Sequence, residues 1–180
     1  MEFREVLTGR RSIRKFRERM VPDSEIEALV DMARHSPSSM NGQPWHFVIV
    51  RSPESKASLA EIKNHFCPPE KKMFRADFMR TASFIMLICV EKERSYGREI
   101  ENGVLAASHV MLAAHSLGLG SVYMSAYIPE EPQLAETLRK QFAIPETLMP
   151  VSILPIGYPD EIPKPKELRP VKEIIHRERF

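Results

Sequence analysis

The chain has 180 residues, of which 43% are hydrophobic and 28% charged, a composition typical of one folded globular domain. Its net charge of +2 gives no general attraction to nucleic acid or to a membrane surface. The longest apolar run, residues 84–90, is too short to span a bilayer, and the N-terminal residues lack the apolar core of a signal peptide. The two cysteines form no CxxC motif, which favours a reducing, cytoplasmic setting.

The spacing of apolar residues predicts a mixture of helices and strands. Helical spacing covers residues 2–9 and then a second helix, which Asp23 or Ser24 is expected to cap and Ser36-Pro37 to end. Further helices are predicted over residues 53–66, 96–117 and 132–142, with a short one within 67–82, and strands over 45–51, 84–90, 121–126 and 150–156. This order favours an α+β or α/β fold with a central sheet flanked by helices.

Two of these elements are expected to be central. Residues 84–90 (FIMLICV) are apolar on both faces, as in a strand at the middle of a sheet. The helix over 96–117 is rich in alanine and apolar almost all round, which predicts burial and close backbone packing. Gly118 and Gly120 are expected to end it. Because these glycines follow a helix and precede a strand, they are not a dinucleotide-binding fingerprint.

Residues 157–180 differ from the rest of the single domain that the sequence predicts over 1–180. Four prolines and few large apolar residues between Gly157 and Pro170 predict an extended arm that cannot pack on itself. Residues 171–176 could then pair as a strand. We expect this arm to lie along another surface, such as a partner subunit.

A basic segment, Arg10–Phe16 (RRSIRKF), is the first candidate site. Guanidinium groups pair with phosphate oxygens in a bidentate way, and the Ser12 hydroxyl adds a neutral donor. If the segment is extended, Ser12 and Arg14 share one face. Taken by itself, the segment also fits a solvated basic turn whose arginines interact with the C-terminal end of the preceding helix.

The loop Ser36–Trp45 (SPSSMNGQPW) is the second candidate site. Closely spaced serine, asparagine and glutamine side chains provide donors and acceptors that can bind the edge of a flat heterocycle. The alternative interpretation is a polar turn set by two prolines and Gly42. Neither segment, taken alone, distinguishes a ligand-binding site from a surface turn.

Side chains for direct catalysis are missing from the sequence pattern. The GxSxG, Walker A and HExxH motifs do not occur. His109 and His115 are six residues apart and do not share a helix face, so we expect core or interface histidines rather than metal ligands. A protein without an acid–base, nucleophile or metal constellation is expected to use a bound cofactor for its chemistry.

Taken together, these segments resemble the nitroreductase family of FMN-dependent oxidoreductases over nearly the whole chain. The motifs that carry the resemblance are Arg10–Phe16, Ser36–Trp45, the end of the small-residue helix at Leu117–Gly120, Pro155–Pro159 and Lys164–Pro170. The resemblance implies an α+β fold with a mixed, largely antiparallel sheet. It also implies an obligate homodimer that binds FMN at the subunit interface, with the C-terminal arm extending to the partner.

The resemblance further implies roles for individual residues. Arg10, Arg11 and Ser12 would hold the FMN phosphate and ribityl chain, and Arg14 would reach the pyrimidine end of the ring, where a cation stabilises the charge that reduction places near N1. The other implied contacts are Lys166 and Arg169 at the phosphate, Pro37, Ser38, Ser39 and Asn41 from the other subunit, and Met124, Ser125 and Ala126 beside the flavin with a backbone amide directed at N5. No catalytic side chain and no metal are expected, because flavin N5 carries the chemistry.

The activity that the resemblance implies is transfer of electron pairs from NADH or NADPH to a nitroaromatic, a quinone or a flavin by a ping-pong mechanism. A non-catalytic flavin-binding redox sensor and a specialised reaction such as dehalogenation are alternatives. A nucleic-acid binder ranks behind them, because stacking aromatics do not accompany the basic patch. The sequence departs from many relatives in two places: the lid segment Cys67–Arg80 is short, and Met124-Ser125 replaces a glutamate–glycine or tryptophan–glycine pair.

Overall fold

The structure is a computed structural model that describes residues 1–68 and 75–180. Its strands are β1 Trp45–Val50, β2 Phe84–Glu91, β3 Gly120–Ser121, β4 Met124–Ser125 and β5 Leu148–Gly157. They form one sheet in the order β1-β2-β5-β3, with β4 also paired to β5. Every pairing between these described strands is antiparallel, which confirms the α+β class and the largely antiparallel sheet.

The helices lie close to their predicted positions. They are α1 Phe3–Gly9, α2 Asp23–Ala33, α3 Pro53–His65, α4 Lys92–Ser95, α5 Glu99–Ser116 and α6 Gln133–Phe142, with 3₁₀ turns at Ser39–Asn41, Asp77–Thr81 and Val171–Glu173. The prediction that Asp23 or Ser24 caps α2 is wrong, because the cap position is Pro22 and no side chain makes a cap hydrogen bond. The Asp23 carboxylate is instead paired with Arg51.

Strand β2 forms the centre of the protein, as its apolar sequence predicts. Alternate residues of a strand point to opposite faces of the sheet. Ile85 and Leu87 therefore pack in a core cluster with residues of α3 and α6, while Met86 and Ile88 pack in a second cluster with residues of α2 and α5. The fold is thus three layers, with a sheet between two helical layers.

Helix α5 packs against the sheet through a glycine. A Cβ atom at Gly103 would lie 2.6 Å from Cβ of Val151 on β5, so only glycine permits this approach. The opposite face is open, since Val104 and Leu105 are each 39% exposed. The predicted burial and close packing therefore hold for the sides of α5 that face the sheet and α2, whereas Val104 and Leu105 are left exposed in the single chain.

Left-handed residues set both ends of α5. The predicted helix over 96–117 begins later, at Glu99, because Tyr96 and Gly97 have φ values of 53° and 72° and separate it from the short helix α4. At the other end Gly118 has a φ of 77°, and Leu119 N donates to Ala114 O at 2.8 Å, a geometry that ends a helix. Gly120 plays a different part from the predicted one, since it belongs to β3.

Two predictions about strands need correction. The strand over 121–126 is interrupted at residues 122–123, although the register along β5 is kept, because Ser121 faces Ile156 and Met124 faces Ile153. The possible strand at 171–176 is wrong: a 3₁₀ turn covers Val171–Glu173, and its apolar side chains are exposed with no strand beside them among the described residues. In the same described ranges, no helix is long and apolar enough to cross a membrane.

Replacing Gly103 with alanine is expected to destabilise the protein by about 1–3 kcal/mol, because the added methyl group overpacks the contact with Val151. This loss should occur although alanine is favoured over glycine in a helix by about 1 kcal/mol. Urea unfolding of Gly103→Ala measures the change. The double variant with Val151→Ala should lose less stability than the sum of the two single variants, and strictly additive losses would contradict this packing argument.

Candidate functional site

The basic segment lies extended between two parts of the sheet. Ile13 N donates to Ser121 O at 3.0 Å on one side. On the other side Arg17 N donates to Tyr158 O at 2.9 Å, and Asp160 N donates to Lys15 O at the same distance. These backbone hydrogen bonds hold the segment in an extended, strand-like conformation at the edge of the sheet.

Burial alternates along this segment only from Ser12 to Arg14, because Lys15 is exposed and Phe16 is buried. Ile13 and Phe16 are buried, at 6% and 7% exposure, and anchor the segment in the core. Ser12 and Arg14 are exposed. Gly120 allows the close approach, because a Cβ atom there would lie 2.8 Å from the Ile13 side chain. The polar residues of the motif are therefore presented on the outer surface by two buried apolar anchors.

Arg10 and Arg11 line a small cavity of about 310 Å³, together with Gly9, His115 and Ser121. In the described part of the chain neither arginine forms an ion pair with a carboxylate, and the Arg11 guanidinium donates to the backbone oxygen of Lys164. Burial, and then the positive charge of Arg10, lower the pKa of His115, so its ring is neutral at pH 7. The charged side chains that line this cavity are therefore the two guanidinium groups and the Glu161 carboxylate, which accepts hydrogen bonds from Arg14 N and Lys15 N.

Arg14 lines a second, larger cavity of about 970 Å³. Met124 and Ser125 contribute to its wall, as does Lys63 from α3. Its apolar lining includes Phe66, Phe78, Val122 and Ile128. The volume lies at the upper end of the range of about 300–1,000 Å³ that is usual for small-molecule pockets, and such a mixture of flat apolar walls and a few cations suits an aromatic ligand.

The two cavities are lined by successive residues of the same two segments, the basic segment and β3–β4. Arg11 and Ser121 line the small cavity, while Arg14 and Met124 line the large one. Ser12 forms a parallel bridge with Ser121 between them. The arrangement suits an elongated ligand with an anionic group at the arginine end and a flat ring at the apolar end.

The serine- and asparagine-rich loop lies against α5 rather than beside these cavities. Ser39 N donates to Asn102 Oδ1 at 3.0 Å, and Asn102 Nδ2 donates to Ser95 O at 3.3 Å. A Cβ atom at Gly42 would lie 2.1 Å from Arg94 O, so glycine is required there. Pro37, Ser38, Ser39 and Asn41 line neither cavity of this chain. Their predicted contact with a flavin of the other subunit stays a prediction.

The backbone of this loop is unusual. Met40, Asn41 and Gln43 have φ values of 49°, 53° and 48°, in the left-handed region that non-glycine residues seldom adopt. Met40 is 81% exposed. Conformations of this kind persist only where their surroundings fix them, and they cluster at functional sites.

The other predicted cofactor contacts are placed as follows. Ala126 N donates to Val151 O at 2.9 Å, and Met124 faces Ile153 two residues earlier in the same register. Hydrogen-bonded pairs alternate along an antiparallel ladder, so both of these amides are used within the sheet and the backbone amide of Ser125 remains as the candidate for N5. Lys166 and Arg169 lie in the exposed tail, where Arg169 approaches the Glu173 carboxylate at 3.8 Å. Neither residue lines the two cavities. Part of the predicted lid, residues 69–74, lies outside the described residues.

Asn102 and Lys63 are site residues that the sequence pattern did not reveal. Asn102 is a polar residue at the start of the apolar run of α5 and is 1% exposed, and an uncharged polar residue on a helix predicted to be buried is the signal that could have identified it. Lys63 lies in the polar last turn of α3, where a lysine is common, so its position gave no signal. Both make their contacts with residues more than 60 positions away in the chain, Ser39 and Ser125.

Replacing Asn102 with alanine is expected to loosen the loop 38–43 and to lower stability by about 1–3 kcal/mol, because Ser39 N–H and Ser95 C=O lose their partner inside the protein. Unfolding in urea and limited proteolysis of the loop measure both effects. Glu101→Ala is the matched control, since this exposed neighbour forms only a surface ion pair with Arg98. Equal losses in the two variants would contradict the anchoring role.

Comparisons with known proteins agree with this geometry. The sequence model of the Nitroreductase family matches residues 7–158. A Methanothermobacter thermautotrophicus protein, provisionally named NADH dehydrogenase/NAD(P)H nitroreductase, is 34% identical over 93% of this chain and 83% of its own length. Iodotyrosine deiodinase of Thermotoga neapolitana is 30% identical over 93% of this chain and 92% of its own length.

The solved structures give the same result. The FMN-dependent nitroreductase of Clostridium difficile superimposes with a TM-score of 0.83 at 26% identity, covering 97% of this chain and 98% of the other. The family match spans most of the chain, including the basic segment, the loop at α5 and β3–β5. This chain therefore belongs to the nitroreductase family.

Proposed function

We propose that the protein is an FMN-dependent oxidoreductase. It takes electron pairs from NADH or NADPH and passes them to a small electron-poor acceptor, such as a nitroaromatic, a quinone or a flavin. Donor and acceptor occupy the large cavity in turn, which gives a ping-pong mechanism. The observation that carries this proposal is the pair of cavities lined from one basic segment, the first by Arg10 and Arg11 and the second by Arg14 together with apolar side chains.

The donor set of the small cavity fits the phosphate of FMN. Two guanidinium groups without carboxylate partners among the described residues offer forked donors that match phosphate oxygens. Ser12 is exposed next to them and can donate from its hydroxyl. Lys166 and Arg169 would reach this phosphate through a movement of the tail, since both are exposed. The same cations would balance the charge of the bound cofactor.

The large cavity fits an isoalloxazine ring. FMN, when bound, accepts a hydride from a nicotinamide and passes the electrons to an acceptor. Arg14 holds a positive charge beside the ring position, where it favours an electron-rich ring. Phe66 and Phe78 provide apolar surface that excludes water and against which flat molecules can stack. No side chain of the cavity is required as a nucleophile.

Relatives support the proposal through the chemistry their names state. The Methanothermobacter protein is named for NAD(P)H and the Clostridium difficile protein for FMN. The exposed apolar face of α5 and the exposed tail support a homodimer, since large exposed apolar patches commonly mark interfaces. In such a dimer, Ser38, Ser39 and Asn41 of one subunit would approach the flavin of the other.

The 30% identity to Thermotoga neapolitana iodotyrosine deiodinase favours a second candidate, reductive dehalogenation. In that reaction an aromatic carbon–halogen bond breaks, two electrons and one proton form a carbon–hydrogen bond, and halide leaves. The FMN-loaded protein, reduced with a nicotinamide, would release iodide from iodotyrosine if this candidate were correct. Turnover of nitroaromatics and quinones without iodide release would favour the first candidate.

Purified protein loaded with FMN is expected to show visible flavin absorption that bleaches under anaerobic addition of NADH or NADPH, because the large cavity is open to a second flat molecule. Addition of a quinone or a nitroaromatic should restore the absorption. A spectrophotometer in an anaerobic chamber makes this measurement. Bound flavin that neither nicotinamide bleaches would instead support a non-catalytic redox sensor.

Replacing Arg10 with glutamine is expected to weaken FMN binding by about tenfold or more, because a charge-assisted hydrogen bond contributes about 1.5–3 kcal/mol. Quenching of FMN fluorescence gives the dissociation constant. Arg17→Gln is the matched control, because Arg17 directly follows the basic segment but its side chain lies on the surface, 3.7 Å from the Asp160 carboxylate. Similar affinities for the Arg10 variant and the wild type would contradict the assignment of the small cavity to the phosphate.

A further inference from the structure

Lys63 is a second cation in the large cavity, and the proposed function leaves it without a role. Its Nζ donates to Ser125 O at 2.9 Å, which holds the side chain against β4. An ammonium group has three N–H donors. Among residues 1–68 and 75–180 no carboxylate forms an ion pair with Lys63.

The surroundings of Lys63 make its charge costly. Burial lowers the pKa of Lys63, and an electrostatic interaction with Cys67 acts in the opposite direction. Phe66 and Phe78 provide apolar lining in the same cavity. An ammonium that has lost part of its water without gaining a carboxylate is stabilised by an anion that enters beside it.

Lys56 on the same helix provides a comparison. Its Nζ also donates to a backbone oxygen, Ala82 O at 2.6 Å, and burial lowers its pKa as well. Lys56 does not line the large cavity, whereas Lys63 does. Lys56 therefore only donates to a carbonyl group inside the fold, whereas Lys63 also places its charge in the large cavity.

We propose that Lys63 determines acceptor specificity by binding an anionic substituent, of the carboxylate class, on the acceptor molecule. This inference rests on the proposed function, because the cavity must first hold a flavin. Arg14 comes from the segment that contacts the flavin, while Lys63 reaches the cavity from α3, next to the beginning of the short lid segment at Cys67. The two cations thus serve different ligands.

Among the described residues, the other charged side chains that line the cavity are exposed to water. Glu130 and Glu131 line its rim and are exposed, as is His65. Exposed charges are screened by water and salt, so their repulsion of an anionic acceptor is small compared with the attraction of a partly buried ammonium. The net preference of the cavity is for an anion placed at Lys63.

Binding of two closely matched molecules to the oxidised, FMN-loaded protein tests the inference without electron transfer. 4-Nitrobenzoate and 4-nitrobenzamide have the same shape and differ in charge. Perturbation of the flavin spectrum gives each dissociation constant. We expect the wild type to bind the carboxylate about tenfold more tightly than the amide, which corresponds to about 1.4 kcal/mol.

Three variants separate the role of Lys63 from general effects on folding. Lys63→Met should abolish the preference for the carboxylate, and Lys63→Arg should keep most of it. Lys56→Met should retain the full preference, because that lysine lies outside the cavity. In steady-state turnover the loss in Lys63→Met should fall on KM for the carboxylate rather than on kcat, as for binding that is equal in the ground and transition states.

A wild type that binds the amide as tightly as the carboxylate overturns the inference without any variant. A Lys63→Met protein that keeps the preference overturns it too. Failure of the proposed function looks different: neither nicotinamide would bleach the flavin, while the difference in affinity between the two molecules would still be measured. A flavin that bleaches normally in a protein without carboxylate preference removes this inference alone.

Discussion

Strand β5 supports the whole site, because the basic segment is held by hydrogen bonds to β3, which pairs with β5, and to the residues that directly follow β5. One edge of β5 pairs with the buried strand β2, and the other edge pairs with β3 and β4. Tyr158 follows β5 directly and accepts the hydrogen bond from Arg17 N. Two glycines permit the close packing: a Cβ atom at Gly157 would lie 3.0 Å from Ser83 N, and one at Gly120 would meet Ile13. The arginines are therefore spaced by a rigid sheet and not by a flexible loop.

A concentration of positive charge follows from this arrangement. Arg10, Arg11, Arg14 and Lys63 line the two cavities, and within the described ranges none of them is neutralised by a carboxylate ion pair. Cations gathered in clefts in this way attract anionic ligands. An extended cofactor with a phosphate at one end and an electron-accepting ring at the other relieves the charge at both ends. The electrostatics of the site thus favour FMN over a neutral ligand of the same shape.

Local patterns in the sequence predicted most of the fold, whereas contacts between distant residues did not follow from them. The apolar run at β2 and the start of α3 at Pro53 depend on neighbouring residues, and both were predicted correctly. The pairing of Ser39 with Asn102 joins residues 63 positions apart, and no periodicity encodes it. The prediction of a strand in the C-terminal arm was wrong for a related reason. Its apolar residues suit a strand, but a strand needs a pairing partner, which the described single chain does not supply.

Each motif of the candidate site by itself also fits a surface turn, and the family resemblance, which rests on several motifs in order, supplied the roles of their residues. Lys63 escaped notice because a lysine at the end of a helix is ordinary, and only its position beside Ser125 reveals a cavity residue. In general a charged residue signals a site when it loses water without gaining a partner. That property belongs to the packed structure and is invisible in the sequence.

Helix α5 links the proposed dimer to the proposed flavin site through one residue. Its exposed face carries Val104 and Leu105, while Asn102 on the same helix anchors Ser39. A partner subunit that covers Val104 and Leu105 would therefore press on the helix turn that positions the loop 38–43. The strained residues of that loop, Met40 and Asn41, would be fixed by the same contact. In the proposed dimer, subunit association and assembly of the flavin site would be one event, because the loop proposed to complete one subunit's cavity is held by the helix through which the other subunit would bind.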